Sequence, residues 1–449
     1  MLAIASNHLK SLIITVAALL AGTSVAHSDP AGTQVPGIIV LAAQVLDVRS
    51  GHYVQNAALY IVGERIENIG PAQAVIAHAP TDATVIDLHN ATVLPGLIDC
   101  HTHLMARIPE GDNAYEMNLL TKSEAYRALE GAADARATLW AGFTTVRDVE
   151  SEGSGYADVA LRDAVNAGLV EGPRMLVATR GIAAVGQYPP FNVRPDLVGF
   201  PTGAQMISGV EEARRAAREQ IGHGADLIKV YADWRHATLT VAEMQVVVEE
   251  AHKAGLKVAA HATTPEGIRN AVMAGVDSIE HGHGADKAAL QLMKTKGTYL
   301  VPTLSVVDAA MARRFGGSTN SPKALAFLDT LKHAMSMAQE LGVKIADGSD
   351  ASDAASHGHN AVELEAMTQR GLTPIEAIRA ATISAADLIG WPDKVGALEN
   401  GMYADLIAVD GDPVADIKTL QKTLFVMKGG KVIRNDVVRA ERRGITSPP

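Results

Sequence analysis

The sequence predicts an α/β chain in which a (β/α)8 barrel of TIM type is joined to a small β-sandwich domain built from both termini. Three patterns predict it. Strand-like stretches that alternate apolar and polar residues, broken by Gly, Asn and Pro, fill about residues 37–92 and recur near the other end in GALENGMYADLIAVDG and KTLFVMKGGKVIRND. Between these flanks, short apolar strands alternate with stretches whose apolar residues repeat at i, i+3 and i+4. The 449 residues also suit one barrel of about 250 residues plus a smaller unit.

Taken in order, residues 1–26 read as a secretory signal: Lys10 in the n-region, the apolar run SLIITVAALLAG, and small residues at Ser24 and Ala26 before a cleavage site. The apolar run is shorter than the roughly 20 residues a membrane span needs. Residues 27–92 are expected to form the N-terminal part of the β-domain, 93–392 the barrel, and 393–449 the C-terminal part with a tail. Eight barrel strands are expected at 92–99, 143–149, 174–179, 225–233, 257–262, 278–282, 299–304 and 343–350. Helices are expected at 210–224, 242–255 and 265–275, each ending at Gly, the preferred residue just past a helix. A doubly wound sheet is the structural alternative. It carries a Gly-rich phosphate turn after its first strand, where this chain has Asp99-Cys100-His101-Thr102-His103.

Composition narrows the function classes. Apolar residues at 47% supply a large core, and 39 basic against 50 acidic residues leave a charge of −11. That charge disfavours nucleic acid, whose phosphates need a cationic surface, and 4% aromatics leave little to stack on bases. The single cysteine, Cys100, excludes an internal disulfide framework. No stretch after the signal is long and apolar enough to span a bilayer, so an exported protein is expected, periplasmic or secreted.

In such a barrel the chemistry sits at the C-terminal ends of the strands. Strand 1 ends with His101 and His103, which at i, i+2 point to one face. Strand 4 carries Lys229, strands 5 and 6 end with His261 and His281, and strand 8 ends with Asp350. Singly, each has a bland explanation, such as a core histidine or a helix N-cap aspartate. Together, imidazoles and carboxylates converging on one barrel mouth suit Zn²⁺ or a similar divalent ion. Arg147 and Asp148 read as a structural ion pair, Cys100 as a small buried hydrophobe, and His283 as a surface residue.

PGLIDCHTHL resembles the first-strand signature of the amidohydrolase superfamily, and the order His-x-His, Lys, His, His, Asp resembles its binuclear subtype. GFTTVRDV, GADLIKVY, VAAHA, SIEHG and ENGMYADLIAVDGDP resemble the branch with imidazolonepropionase-like proteins, Xaa-Pro dipeptidases and carboxypeptidases. Within that branch the chain resembles enzymes that hydrolyse the amide of ochratoxin. The resemblance implies two divalent ions, Zn²⁺ by default: one held by His101, His103 and Asp350, the other by His261 and His281. Lys229, carboxylated on its amine by CO₂, would bridge them. The ion pair would lower the pKa of a shared water from 15.7 toward about 7, and Asp350 would act as general base and then acid. The resemblance also implies a homo-oligomer, with an octamer as one form.

Tyr231, two residues from Lys229, is expected at the rim as an oxyanion donor. His357 is taken as a substrate contact, and Gln187 as a substrate-side residue standing where many relatives have the His of a Gly-Gly-His run. Arg235 and His236 are candidates for a substrate carboxylate, with solvated loop charges as the alternative. The function expected is amide (C–N) hydrolysis of N-acyl amino acids, dipeptides or ochratoxin-like amides. Two alternatives stay open: hydrolysis of cyclic amides or lactones, and a metal- or ligand-binding protein without turnover.

Overall fold

A computed structural model of the chain describes residues 37–437 apart from 110, 112, 192, 193, 195, 198, 235 and 315–321. The expected signal at 1–26 and Arg235 lie outside the described residues.

The two β-rich flanks meet in one eight-stranded sheet. Its spine is Ile38–Asp47, ten residues long, paired antiparallel with His52–Val62, which pairs in turn with Arg65–Pro71. Along its other edge the spine pairs parallel with Thr84–Asp87 and then with Thr92–Pro95, so the sheet forks there. Thr92–Pro95 pairs antiparallel with Leu406–Val409 from the far end of the chain, and Phe425–Lys428 and Lys431–Asn435 complete the order. Val40, Leu59, Ile61, Val93, Leu406 and Phe425, from both ends of the sequence, share one buried core. Alternation along the strands supplies these side chains to one face, and their burial drives the association.

Thr92–Pro95, expected within the first barrel strand, belongs to this sheet instead. Gly96 separates it from the first parallel strand, Leu97–Thr102. A Cβ on Gly96 would come within 2.2 Å of Thr144 Oγ1, so only glycine lets the chain cross against its neighbour here.

The central region is built from parallel pairs. Leu97–Thr102, Phe143–Asp148 and Arg174–Val177 form one sheet. Gln205–Ile207, Ile182–Ala184, Leu227–Tyr231, Lys257–Ala262, Ser278–His281 and Tyr299–Val301 form another, in that order. The three-residue strands at Ile182–Ala184 and Gln205–Ile207 were not anticipated. Asp226 N donates to Val177 O (2.8 Å) across the gap between the two sheets. The eighth strand, expected at 343–350, is instead an extended segment with single bridges, Leu300 to Ile345 on one side and Thr102 to Ala351 on the other. Cys100 N donates to Asp347 O (2.9 Å) and Asp350 N to His101 O (2.7 Å), so this segment still lies between the last and first strands. It cannot run as a regular strand because Asp350 takes a φ of 56° and because Gly348 passes hard against His101, where a Cβ would lie 2.7 Å from His101 Cβ.

Helices form where the periodicity predicted them, at Val210–Gly222, Val241–Lys253 and Pro265–Ala274. Val241–Lys253 starts at a capping box in which Thr240 and Glu243 satisfy each other's backbone donors, and it buries Met244, Val247, Val248 and Ala251 on one stripe. Each fully buried Val or Met contributes about 1.5–3 kcal/mol as an upper figure. Among the described residues no helix is long and apolar enough to cross a membrane.

Candidate active site

His101 and His103, two apart on Leu97–Thr102 and its continuation, turn their rings into one space, with centroids 5.2 Å apart. Asp350 closes on them: its Oδ1 lies 3.6 Å from His101 Nε2 and 3.2 Å from His103 Nε2. One ligand atom from each of the three falls within 4.8 Å of the others. His281, at the end of Ser278–His281, brings its ring to 5.1 Å from His101, and His261, at the end of Lys257–Ala262, lies 4.6 Å from His281. Lys229 lines the same cavity and is buried, with Nζ 5.4 Å from the Tyr231 ring. The register explains the grouping, since Tyr231 pairs with His261 and Lys229 lies two residues back on the same face. Thus the six residues expected to carry the chemistry line one cavity of about 360 Å³.

Buried polar groups set the orientations. His101 Nδ1 meets Glu280 Oε2 at 2.7 Å, and the other Glu280 oxygen accepts from Arg147 (2.8 Å) and from Ser278 Oγ (2.5 Å). Arg147 also donates to Cys100 O (2.5 Å). With Nδ1 so engaged, His101 presents Nε2 to the cavity. His281 Nδ1 meets Thr303 Oγ1 at 2.7 Å, and His103 Nδ1 lies 3.2 Å from Glu152 Oε1. Asp99, fully buried, accepts from His101 N (3.0 Å), Ser349 Oγ (2.6 Å) and Asn360 Nδ2 (2.8 Å), and so ties the ends of the first strand and the Asp350 segment together. Asp350 and His281 hold left-handed backbone, with φ of 56° and 70°, a cost of order 1–3 kcal/mol that the surrounding structure sustains.

The charge balance of the site suits a cation. His101 Nε2 and His261 Nε2 are buried without a hydrogen-bond partner. Burial lowers the His101 pKa to about 4, with the charge of Lys229 adding to it, and burial likewise pushes His261 and His281 well below the usual imidazole value. Burial alone would lower His103 as well, but the Asp350 hydrogen bond and the Glu152 carboxylate outweigh it and raise His103 to about 9. Burial would raise Asp350, yet His101, His103 and Lys229 hold it at about 2. Lys229 is lowered by burial, against the opposing pull of Glu280, Glu150 and Asp350. The neutral imidazoles of His101, His261 and His281, ionised Asp350 and the orphaned Nε2 atoms of His101 and His261 form a donor set a divalent ion takes, with His103 able to join once it gives up its proton, so these residues fit one.

The remaining expectations are corrected by the geometry. Tyr231 is buried at the cavity wall, but its hydroxyl donates to Glu150. A phenol has one proton, so in this arrangement Tyr231 meets the cavity with its ring and lone pairs rather than as an oxyanion donor. Tyr188 also donates to Glu150 (2.9 Å), and Tyr115 meets Tyr188 at 3.2 Å. Burial, with Glu152 beside it, raises Glu150 to about 8. Gln187 turns back in a tight turn, with its N–H on Ala184 O, and does not line the cavity; its neighbours Tyr188 and Pro189 do. His357 is buried away from the cavity, its Nε2 on Ala106 O at 3.2 Å, because the loop carrying it folds under residues 104–108. His283 is not a surface residue: it is half-buried beside His281, ring to ring at 5.5 Å, with Nε2 on Pro302 O. Arg147 pairs with Glu280 rather than Asp148, since adjacent strand residues face opposite ways; Asp148 accepts from Leu104 N instead. His236 is exposed and does not line the cavity.

Residue-level reasoning missed Glu150, Glu152, Tyr188 and Glu280. Glu280 carried a signal: an acid inside the apolar strand Ser278–His281 needs a buried partner.

Comparison with known proteins places this geometry. The model of the amidohydrolase family matches residues 92–433. Ochratoxinase of Aspergillus niger is 32% identical over 439 residues, covering 90% of this chain and 88% of that protein. Imidazolonepropionase of Rubrobacter xylanophilus is 26% identical, covering 79% and 84%. The solved structure of a Xaa-Pro dipeptidase with bound methionine in its active site superposes with a TM-score of 0.79 at 33% identity, covering 88% of this chain and 99% of that one.

Proposed function

The chain belongs to the amidohydrolase family, and from that premise we propose that it is a binuclear metal-dependent amidase that releases a C-terminal residue from N-acyl amino acids or dipeptides, ochratoxin-like amides included. The observation that carries the reading is the meeting of His101, His103 and Asp350 within 4.8 Å, with His261, His281 and Lys229 in the same cavity. We read the parallel strands as a (β/α)8 barrel and the forked sheet as a β-sandwich. Hydrogen bonds from the Asp350 segment to both the first strand and Tyr299–Val301 support closure.

In this reading His101, His103 and Asp350 would hold one divalent ion and His261 and His281 a second, with Zn²⁺ the default. When bound, such a pair supplies Lewis acidity and an acidified water. Lys229, as a carbamate, would help hold both ions. Burial lowers its pKa and so raises its share of neutral amine; the nitrogen lone pair forms a bond to the carbon of CO₂, and one N–H proton leaves to solvent. Asp350, ionised at neutral pH, takes the proton of the attacking water and hands it to the departing nitrogen as the C–N bond breaks. Protonation matters because an amide anion is a poor leaving group. Glu280, fixed by Arg147, holds the His101 tautomer throughout. The aromatic wall of Tyr115, Tyr188, Tyr231 and Trp234 excludes water and offers flat apolar contact to the acyl side.

The test is release of free amine from a panel of N-acyl amino acids and dipeptides, run beside cyclic amides and lactones, with Asp350→Asn as control. The reading expects turnover of the linear amides and loss of at least 10³-fold in the variant. Turnover of cyclic substrates alone would favour the imidazolonepropionase-like alternative. An Asp350→Asn variant as active as the parent removes the catalytic assignment.

A further inference from the structure

Asp350 forms part of two separate spaces. One face belongs to the cavity just described; another belongs to a second chamber of about 210 Å³, lined by Ser305, Ser349, Ser352, Arg313 and His359 with apolar Val306 and Val362. Ser352 lines both spaces, so they meet at the proton-transferring carboxylate.

The distribution of charge between the two is uneven. Among the described residues, the main cavity is lined by Glu116 and Glu152 and, apart from Lys229 and its histidines, by no cationic side chain. A substrate carboxylate placed against that wall would meet like charge. The second chamber holds a guanidinium. Arg313 Nη1 lies 3.4 Å from Asp353 Oδ2, with its side chain 45% exposed, so much of its donor capacity faces open space. Asp353 is partly neutralised within its own turn, where Oδ1 accepts from the N–H groups of Ala355 and Ser356, both at 2.9 Å. That leaves Asp353 as an anchor that steadies the Arg313 head without consuming it.

Direction follows from the chemistry of Asp350. It must stand next to the nitrogen that leaves, so the leaving group lies on the Asp350 side of the scissile bond and the acyl group on the aromatic side. We propose that the second chamber is the leaving-group subsite, in which Arg313 binds the α-carboxylate of the released amino acid, with His359 in the same lining. This rests on the amide-hydrolase reading for its direction, but the site itself is a carboxylate-binding site whether or not turnover occurs. Arginine suits the task because its planar fork meets a carboxylate through two parallel hydrogen bonds. The aliphatic lining of Val306 and Val362 suits an apolar side chain on that amino acid.

Equilibrium binding of L-methionine and of L-methioninamide, measured by calorimetry on the metal-loaded parent and on Arg313→Gln, tests it. The parent should bind the free acid at least tenfold more tightly than the carboxamide, and the variant should lose that preference while its melting temperature stays near the parent's. A parent that binds both alike, or a variant that keeps the preference, overturns the proposal. Hydrolysis of N-acetyl-methionine, followed separately, keeps the two readings apart. Turnover without carboxylate preference sinks the subsite and spares the amidase; preference without turnover of any linear amide does the reverse.

Discussion

Glu280 grips His101 through a 2.7 Å contact to the imidazole Nδ1, and Arg147 grips Glu280 from behind at 2.8 Å, all three fully buried. The carboxylate joins two strands 179 residues apart in sequence and fixes which ring nitrogen faces the cavity. Arg147 and His101 draw the Glu280 carboxyl far below the ordinary range in spite of burial, so it stays ionised. Glu280→Gln should therefore weaken zinc binding by about 10–100-fold while the protein still folds. Glu280→Ala should cost about 3–5 kcal/mol of stability, because it strands the Arg147 charge in the interior. Zinc titration with a chromophoric competitor and urea unfolding measure the two effects.

His103 carries a proton up to about pH 9 in the metal-free protein, because Asp350 and Glu152 outweigh the effect of burial. A metal ligand must give that proton up. Between pH 7 and 9 zinc affinity should rise by about tenfold per pH unit, then flatten as His103 becomes neutral on its own. Calorimetry in buffers of different ionisation enthalpy should show about one proton released per ion bound at this site at pH 7.5.

If Lys229 joins two ions as proposed, Lys229→Ala should reduce bound metal from two ions per chain to one or fewer, with activity down by at least about 10²-fold. Bicarbonate should speed metal reconstitution of the parent and leave the variant unaffected. A parent indifferent to bicarbonate would point to a mononuclear centre.

Tyr231 and Glu150 should be energetically coupled, because the phenol donates to that buried carboxyl group. Tyr231→Phe should destabilise the fold by about 1–3 kcal/mol, the cost of an acceptor losing a donor. In the Tyr231→Phe, Glu150→Gln pair the losses should fall short of additive by about 0.5–3 kcal/mol. Additive losses would mean that the two side chains act independently.

That His101, His103, Lys229, His261, His281 and Asp350 share one cavity was legible in the sequence for a physical reason. Strand period and the direction of parallel strands decide where a His-x-His pair or a strand-end Asp must point, and neither depends on distant context. Lys229 stood out because a lysine within an apolar strand needs an explanation. The groups on the loops were not legible. Gln187 and Tyr188 are neighbours, and a single residue of turn geometry decides which one faces the cavity. His357 is expected at the substrate because it matches a position often histidine in the resembled family, but its loop turns beneath residues 104–108 and buries the ring on Ala106 O. The eighth strand was expected to be regular, and the close approach of Gly348 to His101, invisible without the third dimension, makes it an extended bridge instead. Glu280 could have been singled out, since a carboxylate inside Ser278–His281 requires a partner such as Arg147.

The most direct measurement is amine release from an N-acyl amino acid as zinc is returned stepwise to the chelated protein. The rate should be near zero without metal, climb with added zinc and saturate at two equivalents per chain. Full activity after exhaustive chelation, or saturation at a single equivalent, would contradict the binuclear reading.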